Sequence, residues 1–114
     1  MTDYPIDGYA LRLWSTRPTT NLNPGTAVAG VYYYQGGQYR GYMYFFPDGT
    51  PLAAPVHDAT NGRVFLHFNL SQLHAVLDVL RHEKPLVVYY DSPTNAALRS
   101  GVEPIGEEES TGGP

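Results

Sequence analysis

The sequence predicts an α+β fold: a mainly antiparallel or mixed, strongly curved sheet of five to six strands, or a partly closed barrel, with one amphipathic helix packed on it. Three observations lead to this prediction. Short apolar segments typical of strands follow one another through most of the chain, separated by turn residues. Only one segment, residues 71–83, has helical periodicity. Glycines within two strand segments, Gly30 and Gly41, indicate strong curvature.

Composition favours a single domain over residues 1–106. The chain has 114 residues, of which 42% are hydrophobic and 16% charged, enough for one modest core. Residues 107–114 have nothing to bury and are expected to form a disordered acidic tail. The three glutamates of this tail supply −3 of the net charge of −4, so residues 1–106 carry −1.

Several classes of protein are excluded or disfavoured at this stage. Cysteine is absent, which excludes a disulfide framework and cysteine-based metal or nucleophile chemistry. No apolar run is long enough to cross a bilayer, and the acidic N-terminal stretch is unlike a signal peptide. We therefore expect a cytoplasmic protein with no membrane association.

The first predicted elements are a strand and a tyrosine-rich hairpin. Residues 8–14 alternate as a strand does, and residues 17–25 form a loop. Residues 27–34 and 39–46 then form a hairpin, because Gly36 and Gly37 suit the paired positive dihedrals of a type I′ turn. Six of the ten tyrosines lie in this hairpin.

Counting outward from the turn predicts the register of the hairpin and its two faces. Tyr34 lies opposite Tyr39, and Tyr33 opposite Arg40, with side chains of alternate pairs sharing a face. One face then holds both strand glycines, and we expect the helix and core to pack against it. The other face carries the candidate binding residues Tyr33, Arg40, Tyr42 and Tyr44.

The second half of the chain predicts strands around the single helix. Residues 52–56 are a candidate edge segment, and residues 63–70 alternate as a half-buried strand. Ser71 suits the N-cap of the helix, Pro85 ends it, and its buried stripe is Leu73, Val76, Leu77 and Leu80. Residues 85–90 are apolar on both faces, typical of a central strand, and residues 96–100 form an edge strand or an irregular segment.

The tyrosine-rich hairpin gives the first functional hypothesis. Tyrosine and arginine are enriched at contact hot spots, so we predict a non-enzymatic binding or protein-interaction module. The partner would be another protein or a second copy of the chain, as in a homodimer. If the rings of Tyr33, Tyr42 and Tyr44 are covered within one chain, this idea loses its basis.

Two alternatives remain open. The aromatic sheet could bind a small molecule or stack the bases of a single-stranded nucleic acid, although the near-neutral domain and its scattered arginines argue against nucleic acid. A small hydrolase or metal-dependent enzyme would use histidines: either His74, Asp78 and His82, spaced along one helix face, or His57 or His67. No nucleophile or phosphate-binding motif accompanies them, so catalysis ranks last. The sequence predicts no catalytic residue, cofactor or metal site.

Overall fold

The computed structural model describes residues 2–15 and 26–101 of the chain. Within these residues eight strands form two sheets, accompanied by one α-helix, which confirms the α+β class. The predicted loop at 17–25 and the predicted tail at 107–114 lie outside the described residues. The elements are β1 (Thr2–Ile6), β2 (Gly8–Leu13), β3 (Ala29–Gln35), β4 (Gln38–Phe46), β5 (Val56–Asp58), β6 (Arg63–Asn69), α1 (Leu73–His82), β7 (Leu86–Ser92) and β8 (Asn95–Ser100).

The strands divide into a sheet of five and a sheet of three, where the sequence predicted a single sheet of five to six. The larger sheet has the order β2-β3-β4-β6-β5 and is mixed, because β4 and β6 are parallel and all its other pairs are antiparallel. The smaller sheet, β1-β7-β8, is antiparallel, and β7 is central as predicted. The expected strong curvature and partial closure into a barrel are not confirmed.

One core joins both sheets and the helix. Val31 and Phe45 of the larger sheet, Val88 of the smaller sheet and Leu77 of α1 belong to the same buried cluster. The stripe predicted for the helix is confirmed at three of its positions, since Val76, Leu77 and Leu80 are buried. Because α1 covers one side of the five-stranded sheet, that side is called the inner face below and the opposite side the outer face.

The start of the helix differs from the prediction. A short 3₁₀ turn (Leu70–Gln72) precedes α1, which begins at Leu73. Ser71 is therefore not the N-cap. Its backbone N–H donates instead to the carboxylate of Asp48 at 3.1 Å, and the Gln72 side chain accepts from the backbone N–H of Asn69 at 3.3 Å. These contacts satisfy the backbone N–H groups of Asn69 and Ser71 at the start of the helical segment.

The hairpin register departs from the prediction after its first pairs. Tyr34 lies opposite Tyr39 as predicted, but a bulge follows and Tyr33 lies opposite Gly41, with Arg40 as the extra residue. Gly41 has φ +134°, and a Cβ there would overlap the carbonyl oxygen of Val64. Glycine at this point, with no Cβ, lets β6 approach β4 closely. Because one inserted residue exchanges the two faces of a strand, the predicted sharing of faces between β3 and β4 is wrong beyond the bulge: Tyr42 lies opposite Tyr32 and not on the face of Tyr33.

The two strand glycines consequently lie on opposite faces. Gly41 is on the inner face, whereas Gly30 lies opposite Tyr44 on the outer face. The ring of Trp14 passes over Gly30, where an added Cβ would stand 2.6 Å from it. Each glycine therefore allows a close approach, but not to the same neighbour.

Three edge segments complete the comparison with the sequence. Strand β1 was not predicted. It contains Pro5 and, among the described strands, pairs only with β7, which suits an edge. Of the predicted segment 52–56 only Val56 belongs to a strand, β5. Residues 96–100 are confirmed as part of the edge strand β8.

Candidate functional site

Two of the four predicted binding residues lie away from the outer face. Tyr33 is fully buried on the inner face, where its hydroxyl donates to the carbonyl oxygen of Val64. Burial raises the pKa of this hydroxyl well above its usual range. Arg40, the bulge residue, donates from Nη1 to the carbonyl oxygen of Gly62 at 3.1 Å, and its guanidinium stands 5.5 Å from the ring centre of Tyr4.

The other two residues are on the outer face but are largely covered. Tyr42 and Tyr44 stack with ring centres 3.6 Å apart and only 12° between their planes. Their exposed fractions are 9% and 6%. The structure therefore does not bring the four residues together on one face. The rings of Tyr33, Tyr42 and Tyr44 are all covered within one chain, which removes the basis for association through them.

The stacked pair belongs to a buried aromatic layer on the outer face. Phe46 is fully buried beside Tyr42 and Tyr44, and Trp14 packs edge-on against Tyr44 at 5.4 Å. Phe65 of β6 lies 4.7 Å from Tyr42. This layer forms a second apolar cluster, separate from the main core, and it gives the outer face a rigid base.

Three tyrosines near the hairpin turn are only half-buried and stand at the margin of this layer. Tyr32 and Tyr34 each have their ring centre 6.1 Å from that of Tyr39. The hydroxyls of Tyr32 and Tyr44 share a hydrogen bond of 3.1 Å, which connects the half-buried rings to the buried layer. Since Tyr32 and Tyr34 alternate with the inner residue Tyr33, their side chains project to the outer face.

Two arginines are held over these rings. The guanidinium carbon of Arg12, on β2, lies 5.1 Å from the ring centre of Tyr32, and that of Arg63, on β6, lies 4.9 Å from the ring centre of Tyr39. Both distances are within the range of cation–π attraction. Within the described part of the chain, Arg63 Nε is buried without a hydrogen-bond partner. We call the set Arg12, Tyr32, Tyr34, Tyr39 and Arg63 the Tyr–Arg surface.

The surroundings of Tyr39, at the centre of the Tyr–Arg surface, keep its hydroxyl protonated. Burial, followed by the neighbouring hydroxyl of Tyr32, raises the pKa of Tyr39 to about 12, although Arg63 acts in the opposite direction. Tyr39 is therefore a neutral hydrogen-bond donor at any physiological pH. The Tyr–Arg surface offers aromatic area, a hydroxyl donor and two positive charges.

His67 lies on the same face, under the segment that follows β4. Its Nδ1 is 3.2 Å from the carbonyl oxygen of Ala53, which can only accept, so Nδ1 carries the ring proton. Its Nε2 is buried without a partner among the described residues. Burial lowers the pKa of the ring, so His67 is neutral at physiological pH.

The remaining histidines are separated. His82 Nδ1 lies 3.1 Å from Asp78 Oδ1 on the exposed face of α1, where both side chains are more than two thirds exposed. His57 shares a 3.0 Å hydrogen bond with the Tyr4 hydroxyl. In residues 2–15 and 26–101, no three histidine, aspartate or glutamate side chains are grouped closely enough to hold a metal ion. A catalytic role for these residues stays a hypothesis.

A cleft of about 820 Å³ lies where the end of α1 faces β1 and the start of β2. Ile6, Leu80 and Leu86 line it with apolar side chains, and charges of both signs, including Asp7 and Lys84, surround them. Its volume is in the range of small-molecule sites. The sequence did not predict it, because its residues come from distant segments.

Comparisons with known protein families, with curated proteins and with solved structures find no match for this chain. No helix in the described residues is both long and apolar enough to cross a membrane. Function is therefore inferred from the contacts and charges of the candidate sites, of which the Tyr–Arg surface is the better defined. The Tyr–Arg surface was missed from sequence because the face with Tyr32, Tyr34 and Tyr39 was assigned to the helix and core, whereas the core packs on the face of Tyr33.

Proposed function

We propose that this protein is a non-enzymatic binding module that contacts a partner protein through the Tyr–Arg surface. The observation that carries the proposal is the pairing of half-exposed tyrosines with arginines held over them, at 5.1 Å for Arg12 and 4.9 Å for Arg63. Tyrosine and arginine are the side chains that most often dominate binding energy at interfaces. The surface retains the role that the sequence suggested for the hairpin, but with different residues.

Preorganisation supports this role. The ring of Tyr32 packs on the buried layer of Tyr42 and Tyr44, so it loses little conformational entropy when a partner covers it. Tyr39 is locked between Tyr32 and Tyr34 and keeps its proton. A partner gains contact area without ordering flexible side chains first.

Charge indicates the chemistry of the partner. Arg63 lies opposite Asp58 in the β5–β6 ladder, which partly balances it, whereas Arg12 on the edge strand is exposed. The surface thus suits a partner with apolar or aromatic contact area and a few carbonyl or carboxylate oxygens at the margin. It does not require a strongly acidic partner.

Site-specific photo-crosslinking in cells that express the protein tests the proposal. A benzoylphenylalanine replaces Tyr34 in one variant and the exposed Asp91 of the smaller sheet in another. We expect a discrete adduct from position 34 that is absent from position 91. Combining the first probe with Arg12→Glu should abolish the adduct, and combining it with Arg81→Glu, an exposed arginine of α1, should not. Identical adducts from both positions, or none from either, would contradict the proposal.

A single-stranded nucleic acid is the second candidate ligand of the same surface. Arginine beside half-exposed aromatic rings is the arrangement that stacks unpaired bases. The net charge of −4 for the whole chain argues against strong backbone attraction. Titration of labelled oligonucleotides at low salt distinguishes the two ligands: saturable binding that is lost in Arg12→Glu supports nucleic acid, and no binding excludes it.

A further inference from the structure

We propose that two copies of this chain pair through strand β2, in antiparallel orientation about a two-fold axis at Leu11. The pairing would join the two five-stranded sheets into one continuous sheet. It uses the edge of β2, which shares only Arg12 with the Tyr–Arg surface, and it goes beyond the proposed function. The inference depends on the backbone geometry, the side chains and the charges of the six residues Gly8–Leu13.

The backbone of β2 has an open edge. In the part of the chain that the structure describes, only β3 pairs with β2. The backbone N–H of Trp14 donates to the carbonyl oxygen of Val28 at 3.0 Å. Because bonding positions alternate along an antiparallel strand, Leu13, Leu11 and Tyr9 direct their N–H and C=O groups away from β3. Such an edge is a template for another strand.

The side chains at the same three positions are apolar and exposed. Tyr9, Leu11 and Leu13 are 37%, 37% and 70% exposed, although they lie in register with the buried inner residues of β3. The apolar inner face therefore continues to the edge of the sheet, where each of these side chains remains more than a third exposed. Three consecutive apolar side chains along one open edge favour protein association.

The sequence of β2 is complementary to itself about Leu11. In that register Leu11 faces Leu11 of the second copy, Tyr9 faces Leu13, and Arg12 faces the small neutral residue Ala10. Tyr9, Leu11 and Leu13 then all pair with residues whose N–H and C=O groups also point away from β3. A two-fold axis at Arg12 would place two guanidiniums directly opposite each other, which is unfavourable. An axis between Ala10 and Leu11 would place residues whose backbone groups point to the open edge opposite residues whose backbone groups point to β3, so no hydrogen-bonded ladder would form.

Pairing would also place two Tyr–Arg surfaces next to each other. Arg12 lies on β2 itself, on the outer face, with its guanidinium over Tyr32 of the neighbouring strand. The two-fold axis therefore sets two copies of the binding surface side by side. A repetitive or two-fold symmetric partner would then bind with avidity.

Sedimentation equilibrium of the full chain tests the association. We expect a mass of twice 12.6 kDa for the wild type. Leu11→Lys places two ammonium groups opposite each other at the axis and should give a monomer. Leu52→Lys is the matched control, because Leu52 is 38% exposed but lies outside β2. A monomeric wild type at every concentration, a dimeric Leu11→Lys, or equal dissociation of both variants would overturn the proposal.

Cysteine crosslinking tests the register, and the cysteine-free chain makes the readout unambiguous. At the proposed axis the two Cα atoms of residue 11 would be about 5.5 Å apart, within the range that a disulfide bridges. Residue 13 would be about 14 Å from its symmetry mate. Under mild oxidation Leu11→Cys should therefore form a covalent dimer, while the more exposed Leu13→Cys should not. Faster crosslinking of Leu13→Cys would refute this register, and circular dichroism confirms that both variants remain folded.

Discussion

Replacing Tyr33 by phenylalanine separates a structural role from a binding role at the centre of the hairpin. The side chain is fully buried, and its hydroxyl donates to the carbonyl oxygen of Val64 across the bulge. Phenylalanine keeps the ring and its packing, and removes only this hydroxyl. The change therefore measures the hydrogen bond between β3 and β6 without creating a large cavity.

The expected loss follows from the burial of both partners. A hydrogen bond contributes roughly 0.5–1.5 kcal/mol net, and a buried acceptor left without a donor costs about 1–3 kcal/mol. We expect Tyr33→Phe to lower the free energy of unfolding by about 1–2 kcal/mol. For a domain of this size that corresponds to a decrease in Tm of roughly 5–10 °C.

Guanidinium unfolding followed by circular dichroism, together with calorimetry, measures the loss. Tyr34→Phe is the matched control, since Tyr34 is half-exposed on the outer face, and its free energy of unfolding should change by less than about 0.5 kcal/mol. The reasoning would be refuted if Tyr33→Phe were as stable as the wild type, or if Tyr34→Phe lost more stability than Tyr33→Phe.

Three further perturbations have expected outcomes. Gly41→Ala should lower the free energy of unfolding by about 3 kcal/mol or more, because it strains a φ of +134° and its Cβ overlaps the carbonyl oxygen of Val64. Gly8→Ala is the control, since a Cβ there meets nothing within 4 Å and stability should change little. Urea unfolding compares the two variants. Because burial lowers the pKa of His67 in the folded protein, this ring is protonated at a higher pH in the unfolded chain than in the folded one. The free energy of unfolding should therefore decline as the pH falls through about 6.5. The guanidinium midpoint should fall less steeply with pH in His67→Asn, and an unchanged slope would contradict the assignment. Tyr39, with its pKa raised to about 12, should remain protonated near pH 11 in the folded protein. At that pH, Tyr39→Phe should therefore leave the tyrosinate absorbance of the native protein unchanged and lower that of the denatured chain. A lower absorbance of the native variant would show that Tyr39 ionises normally.

Local sequence signals predicted most of the elements. Alternation predicted β2 and β6, and the spacing of Val76, Leu77 and Leu80 predicted α1, because these patterns depend only on a chain with one buried face. The two-glycine turn predicted the hairpin of β3 and β4. Strand β1, which was missed, contains Pro5 and lies at an edge of the smaller sheet, and β5 was predicted only at Val56. A short edge strand carries too few alternating positions to be recognised.

The candidate site was predicted less well than the fold. The hairpin and its tyrosines were correctly located, but the extra residue Arg40 in β4 places Tyr42 and Tyr44 on the face of Tyr32. The core also packs against the face of Tyr33, opposite to the prediction. The contributions of Arg12 and Arg63 come from strands on either side of the hairpin. No local pattern specifies which strands become neighbours.

The sequence by itself determined most of the strands, the helix stripe and the aromatic hairpin, because each follows from periodicity and turn chemistry within a few residues. The tertiary structure alone decided the division into two sheets, the parallel contact between β4 and β6, and the bulge at Arg40. The physical reason is the close approach of the Val64 carbonyl to Gly41, a contact between residues distant in sequence. That contact accompanies the bulge, which places Tyr42 and Tyr44 beside Tyr32 on the outer face.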